Sequence, residues 1–392
     1  MKEVFIVSAA RTPIGAFLGG LKDLSAPQLG AAAIRESLRR ANVPLDRVDE
    51  ALMGCVLTGG IGQAPARQAA IFSGLPASVR CTTINRVCGS GLKTVMLAAQ
   101  AIQCGDANLI VAGGMESMSR APFMLEKGRE GYRLGNGKII DSVVHDGLWD
   151  VYNNYHMGDA AELCAKEKKW DRKEQDRFAA LSYRRALESI ASGKFKAEIV
   201  SVEVMAGKEK KLIDTDEEPG KGKIEKFPDL RPAFQKDGTI TAANASSLND
   251  GAAALIVASG ELVKELSLKP LARIVAQASH AQAPEWFTTA PVGAIEKLLK
   301  KANRKKEDID FFEINEAFSV VALACIKDLG LSEDKVNIRG GAVALGHPIG
   351  ASGARILTTL LYTLKAEGKK TGIATLCIGG GEASALMVEM IE

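Results

Sequence analysis

The chain repeats itself. A helix-like stretch, Ala31 to Asn42, then Leu45-Asp46-Arg47-Val48-Asp49 and a strand through Leu52-Met53, returns as Gly293 to Asn303, Glu307-Asp308-Ile309-Asp310 and a strand through Phe312-Glu313-Ile314. Asn42 and Asn303 lie 261 residues apart. At nearly the same shift Cys88-Gly89-Ser90-Gly91-Leu92 matches Gly350-Ala351-Ser352-Gly353-Ala354, with Ser90 and Ser352 separated by 262 residues. Both runs read as helix starts. Each helix is followed by an apolar strand ending in glycines, Leu109 to Gly114 and Ala374 to Gly380. Self-similarity at one fixed shift constrains the fold more than any local pattern. The alternation of strand and helix argues for α/β units with largely parallel strands covered by helices, whose ligands collect at strand C-terminal ends. Two such halves would pack about a pseudo-twofold axis.

With 392 residues the chain exceeds one ordinary core. The repeat divides it into a first half, residues 1–120 plus 245–270, a second half, residues 271–392, and an insert, residues 121–244. The insert has glycine-rich turns at 128–137, a charged helix near 160–191 and the basic run Lys208 to Lys211. Residues 214–232, rich in Asp, Glu, Gly and Lys, read as solvated loop because few apolar side chains there could offset the entropy of ordering. A strand from Ala252 to Ala258 then rejoins the first half.

A net charge of +3 gives no electrostatic reason to expect nucleic acid or a membrane surface as partner. Seven scattered cysteines, without Cys-x-x-Cys or zinc-like spacing, argue against a disulfide framework or metal cluster and for a reducing, cytoplasmic setting. The N-terminal run Val4 to Val7 is too short for a signal peptide, and no long apolar span follows.

The residues that could carry chemistry sit at the repeated helix starts. Gly340 to Gly353 holds five glycines around His347, one of only four histidines. Such a loop either makes a bend or lets another group come close to the main chain. Ser352 lies near the cap of the following helix, whose free amide N–H groups favour negative charge. Cys88 precedes the apolar helix Leu92 to Ile102, with Gly105 as its stop. A helix N-terminus can lower a thiol pKa from about 8.5 into the range of roughly 3.5–7.5. Cys88 is therefore read either as an activated nucleophile or as an inert packing residue. The pseudo-twofold favours the first, since it would bring Cys88 and His347 together as thiol and general base. Cys377 ends a strand before three glycines, where α/β folds place functional groups. Cys55, Cys81, Cys104, Cys164 and Cys325 read as packing residues, and His145 and His280 as surface or polar-pocket histidines. Asn315, between a strand and a helix, reads locally as an N-cap.

Six segments in order resemble the thiolases: Cys88-Gly-Ser-Gly91, Gly113-Gly-Met-Glu-Ser-Met-Ser119, Asn244-Ala-Ser-Ser-Leu-Asn-Asp-Gly-Ala-Ala253, Asn315-Glu-Ala-Phe318, Gly340 to Gly353, and Cys377-Ile-Gly-Gly-Gly381. The resemblance spans nearly the whole chain. It implies the thiolase fold, an α/β architecture of two duplicated βαβαβαββ halves forming a layered αβαβα core with an inserted loop domain. It also implies condensation of two acetyl-CoA molecules to acetoacetyl-CoA plus CoA, with Cys88 acylated, His347 its base and an oxyanion donor, and Cys377 the acid/base. Asn315 would hold a water in one oxyanion hole, and the amides of Cys88 and Gly380 would form a second. His156 and Met157, in Tyr155-His-Met-Gly158, would line a short acyl pocket with Phe234, Phe287 and Phe318. Ser246 would hold pantetheine, and Lys221 and Lys223 would meet the CoA phosphates. No permanent cofactor is implied, and the subunits would form a homotetramer or homodimer. A broader 3-ketoacyl-CoA thiolase and a silent acyl-CoA-binding relative are the alternatives. Ala383 stands where the family commonly has glycine, which implies a local change of backbone geometry.

Overall fold

The computed structural model describes residues 2–391. In chain order the strands used below are β1 (Val4–Arg11), β2 (Glu50–Gly54), β3 (Arg80–Ile84), β4 (Leu109–Ser117), β5 (Val202–Ala206), β6 (Glu209–Ile213), β7 (Asn249–Ser259), β8 (Ala272–Ala281), β9 (Phe311–Ile314), β10 (Thr371–Ile378) and β11 (Glu382–Met390). The helices are α1 (Ala26–Ala41), α2 (Pro65–Ser73), α3 (Ser90–Cys104), α4 (Met157–Lys168), α5 (Arg172–Ala191), α6 (Gly260–Glu265), α7 (Ala290–Ala302), α8 (Ser319–Leu329), α9 (Ala342–Leu345) and α10 (Ser352–Ala366).

The expected repeat is present strand by strand. One continuous sheet runs β9-β10-β11-β8-β1-β7-β4-β2-β3, joined at its middle by antiparallel pairing of Phe5 with Arg273 and Ile6 with Ala272. On either side of that join the order is the same. β1 pairs antiparallel with β7, β7 antiparallel with β4, and β4 parallel with β2. β8 pairs antiparallel with β11, β11 antiparallel with β10, and β10 parallel with β9. The copies differ at the third strand. β3 is a full strand, whereas its counterpart is one parallel bridge from Phe312 to Val336. Asn42 and Asn303, which mark the repeat in the sequence, both sit at helix C-caps in the left-handed conformation, which asparagine tolerates better than most residues.

Five layers result. Helices α1 and α2 cover one face of the first strands, α7 and α8 one face of the second strands, and α3 and α10 lie between. The central helices are apolar almost all round, as burial on every side requires. In α10 every residue from Ser352 to Leu361 is buried. Leu92, Val95, Leu357 and Leu360 meet in one cluster drawn from both halves, and each such side chain contributes about 1.5–3 kcal/mol on burial.

Two expectations for the insert are corrected. The charged helix near 160–191 is two helices, α4 and α5. Lys169 ends the first in a left-handed cap, and Asp171 caps the second by accepting the Glu174 N–H. The stretch 214–232 is not simply solvated loop. Asp216 is buried with Arg11, accepting from its Nη1 and Nη2 at 2.7 and 2.9 Å, and Glu198 accepts from its Nε at 2.6 Å. Glu217 accepts the Ala16 and Gly20 N–H groups, and Phe227 packs edge-on against Tyr183. These partners lie far away in sequence, so local composition could not reveal them. The basic run Lys208 to Lys211 lies at the turn and on the outgoing strand of the exposed β5–β6 hairpin.

Candidate active site

Cys88 stands on a sharp turn ahead of α3. Val87 is left-handed at φ 44°, a conformation costly for a β-branched residue, and its neighbours hold it there. Asn85 Oδ1 accepts the Val87 N–H at 2.9 Å. Ser90 Oγ accepts the Arg86 N–H at 2.8 Å and donates to the Val87 carbonyl at 2.6 Å. The Arg86 guanidinium reaches across to Glu382 of the second half at 2.9 Å. The half-buried sulfur that this turn presents is reached by the amide N–H groups of Gly379 and of Cys88 itself.

The expected lowering of the thiol pKa is overturned. Burial pushes Cys88 up to about 11, and the negative charge of Glu116 adds to the rise, against the pull of the two amides. Desolvation outweighs the helix start. The resting thiol is protonated at neutral pH, so it becomes a nucleophile only when a base takes its proton.

That base candidate is His347. Its loop docks into a cradle of three glycines of the first half. A Cβ added at Gly54, Gly91 or Gly114 would fall 2.8, 3.0 or 2.1 Å from the Gly350 carbonyl oxygen. Ile349, two residues on, joins a small apolar cluster against which Cys88 packs. His347 is 4% exposed, and burial with the nearby Arg355 charge lowers its pKa to about 3, so the ring is neutral. Nδ1 lies 2.5 Å from Ser352 Oγ and Nε2 lies 3.4 Å from Asn315 Nδ2. Ser352 was expected near the helix cap. The N-cap residue is Ala351, without a side-chain cap bond, and the Ser352 hydroxyl is turned to the histidine.

Asn315 is no N-cap either, since α8 begins after Phe318. It is fully buried, its backbone N–H donates to the Thr375 carbonyl, and its Oδ1 has no partner. A buried amide oxygen left bare beside a catalytic-type histidine is suited to receive a water or ligand donor. Cys377 is fully buried near the end of β10, opposite Ala383 of β11. Ala383 lies in ordinary strand without a positive φ, a conformation alanine adopts without strain. Burial pushes the Cys377 thiol well up, and the charge of Cys88 pushes it further, so the two sulfurs sense one another. The amide at the Cys88 sulfur belongs to Gly379, and Gly380, expected in the second oxyanion hole, follows it in a left-handed turn at φ 91°.

Cys377 also belongs to an apolar cluster with Met157, Phe287 and Phe318, with Phe234 packed alongside. His156 caps α4. Its Nδ1 accepts the Gly158 N–H at 3.0 Å, which places the ring proton on Nε2, and its ring stacks on Phe234 with centroids 4.8 Å apart. Gly158 is needed for this approach, because a Cβ there would sit 2.4 Å from the Phe234 ring. Phe234, Phe318 and Phe287 follow one another edge to face. Ser246 lies against the same wall, its N–H and Oγ both donating to the Ala317 carbonyl at 3.0 Å. Lys221 and Lys223 are exposed on the insert, Lys221 at 3.8 Å from Glu218. His145 is exposed and His280 half-buried beside Gln282, both outside this group. The sequence reading missed Ser352 as partner of the histidine and gave no role to Glu116 or Asn249, although all three stand inside quoted motifs. Among the described residues no group of three or more His, Cys, Asp or Glu could hold a metal ion.

Comparison with known proteins gives the same fold. The model of the thiolase N-terminal domain matches residues 4–261, and that of the thiolase C-terminal domain matches residues 268–390. A Yarrowia lipolytica protein named acetyl-CoA acetyltransferase is 54% identical over 100% of this chain and 98% of its own. The crystal structure of Acat5 thiolase from Ascaris suum in complex with coenzyme A superposes with a TM-score of 0.95 at 45% identity, covering 100% of both chains. That of the Bacillus anthracis acetyl-CoA acetyltransferase gives 0.98 at 41% identity, covering 100% of this chain and 99% of that one. The duplicated halves are therefore those of a thiolase, and the chain belongs to the thiolase family.

Proposed function

We propose that the protein is an acetyl-CoA C-acetyltransferase that joins two acetyl-CoA molecules reversibly into acetoacetyl-CoA and CoA. One observation carries the reading: two cysteines from different halves share a site with a neutral, buried histidine and an unpartnered asparagine oxygen. His347 takes the Cys88 proton as the sulfur attacks the acetyl carbonyl. The bond from carbonyl to CoA sulfur breaks, and the Cys377 thiol gives its proton to the departing CoA thiolate, leaving Cys377 as a thiolate and His347 holding the Cys88 proton. In the acetyl-enzyme the Cys377 thiolate takes a proton from the methyl carbon of the second acetyl-CoA and is a thiol again. The resulting carbon attacks the acetyl carbonyl, and the Cys88 sulfur leaves and recovers the proton held by His347. Once acylated, Cys88 cannot become a thiolate, so no negative sulfur beside Cys377 opposes the charge that Cys377 takes on.

His347 Nε2 with a water on Asn315 Oδ1 supports the enolate oxygen, and the amides of Cys88 and of Gly380, in its left-handed turn, support the tetrahedral oxyanion. His156, Met157, Phe234, Phe287 and Phe318 close a short acyl pocket, which favours acetoacetyl-CoA over longer ketoacyl-CoA substrates. Ser246 keeps acceptor capacity for a pantetheine amide, and the exposed Lys221 and Lys223 supply positive charge for the CoA phosphates. Phe123, Leu134 and Ile139 are 67%, 99% and 71% exposed on the insert, which supports assembly into a homodimer or homotetramer. Seven free cysteines support a reducing, cytoplasmic setting. Among the described residues no helix is long and apolar enough to cross a membrane.

Intact-mass analysis after mixing with acetyl-CoA tests the reading. One added acetyl group is expected, and a Cys88→Ser variant that still acquires it would sink the mechanism. Thiolysis of acetoacetyl-CoA against a long ketoacyl-CoA tests the pocket, with kcat/KM expected to fall steeply with length.

A further inference from the structure

Two side chains of the first half grip the backbone of the His347 loop, which belongs to the second half. Glu116 lies in β4, fully buried. Its Oε2 accepts the Gly350 N–H at 2.8 Å and the Val56 N–H at 3.0 Å, and its Oε1 accepts the Leu57 N–H at 3.1 Å. Asn249, first residue of β7 and also fully buried, accepts the His347 N–H on Oδ1 at 2.8 Å, and its Nδ2 donates to the Gly15 carbonyl at 3.0 Å. The loop is thus held at His347 and again three residues later. Its carbonyl side is pressed into the glycine cradle already described.

A buried carboxylate is expensive to keep, and an apolar residue of the same size would ordinarily serve packing better. Glu116 is compensated by backbone N–H groups, one of them on the loop that carries the histidine. Deletion of the carboxylate would leave those three donors unpaired, and the loop would be free to shift at the position next to the chemistry. Burial holds Glu116 near the edge of ionisation, at about 7, so the amides are its main support as a carboxylate.

We infer that Glu116 and Asn249 are positioning residues for the acyl transfer, a two-point clamp by which the first half sets the reach of the His347 ring towards Cys88. The inference rests on the reading of His347 as the base for Cys88. A displacement of about 1 Å at a reacting group can cost about 10²-fold in rate, so the clamp is worth most in the chemical step and little in substrate binding.

Glu116→Gln and Asn249→Ala, each checked for native circular dichroism, test it in the full chain. Rapid-quench acetylation of Cys88 by acetyl-CoA should slow about 10–100-fold in each, with KM for acetyl-CoA within about threefold. In Glu116→Gln the pH midpoint of Cys88 alkylation by iodoacetamide should move down, because a negative charge that raises the thiol is gone. His347→Asn is the reference. Normal acetylation by a folded His347→Asn would overturn the reading of His347. An inert His347→Asn beside folded Glu116→Gln and Asn249→Ala that acetylate at the wild-type rate would overturn the clamp alone. Should one clamp variant not fold, the other carries the same outcomes.

Discussion

Ser352 Oγ lies 2.5 Å from His347 Nδ1 and 2.9 Å from the Pro348 carbonyl oxygen. A hydroxyl both donates and accepts, so this one serves the ring in either state. When Nδ1 carries a proton, Oγ accepts it and donates to Pro348. When the proton is on Nε2 alone, Oγ donates to Nδ1. A carboxylate here would favour the imidazolium, whereas the serine leaves the ring neutral.

Ser352→Ala should leave the fold intact and leave Nδ1 of a buried histidine without its partner. The cost of one such lost hydrogen bond is about 1–3 kcal/mol, which corresponds to roughly 5–160-fold in acetylation rate. Rapid-quench kinetics measure it, and Ser352→Thr should recover part of the loss. An unchanged rate in Ser352→Ala would show that the ring needs no support on that side.

Asn315→Ala removes the unpartnered Oδ1, the proposed seat of the enolate-binding water. Condensation should fall about 10²–10³-fold, the typical effect of one oxyanion donor. Acetylation of Cys88, which does not pass through the enolate, should fall by less than about tenfold. Equal losses in the two half-reactions would contradict the assignment.

Acid stability should carry the signature of His347. Its folded pKa of about 3 lies below the ordinary histidine value of 6.5, so the unfolded chain binds the proton more readily over that interval. Stability from this group is complete above about 6.5 and is lost as pH falls towards 3. His347→Asn should therefore lose less stability between pH 6.5 and 4 than the wild type, as read by urea midpoints. Parallel midpoint curves would refute the depressed pKa.

Arg11 offers a test of the insert's anchorage. Its guanidinium is wholly buried between Glu198 and Asp216, over the Phe195 ring. Arg11→Ala leaves two buried carboxylates unpaired and should cost about 3–5 kcal/mol, seen as a lower thermal midpoint and faster proteolysis of the 214–232 segment. A smaller loss, below about 1 kcal/mol, would mean that water replaces the arginine.

The duplicated halves were legible because a repeat leaves the same periodic apolar pattern twice, down to the asparagine caps at 42 and 303. Cys88, His347 and Cys377 were legible because glycine-rich runs mark strand and helix ends. The state of Cys88 was not, since desolvation depends on what covers the sulfur and not on its place ahead of a helix. Arg11 with Asp216, and Glu116 with Gly350, join segments over 200 residues apart, and no local pattern records such partners. The break between α4 and α5 was hidden because Lys169-Trp170-Asp171 carries neither glycine nor proline.

The cradle of Gly54, Gly91 and Gly114 against the Gly350 carbonyl leaves no slack between the halves. A longer acyl chain cannot be admitted by spreading them, because any opening there would carry His347 away from Cys88. Room for a different substrate must come from the wall that the insert supplies, through residues such as Met157 and Phe234. The proposed acyl wall takes Met157 and Phe234 from the insert but Phe287 and Phe318 from the second half, so only its insert side can change without moving the half that carries His347.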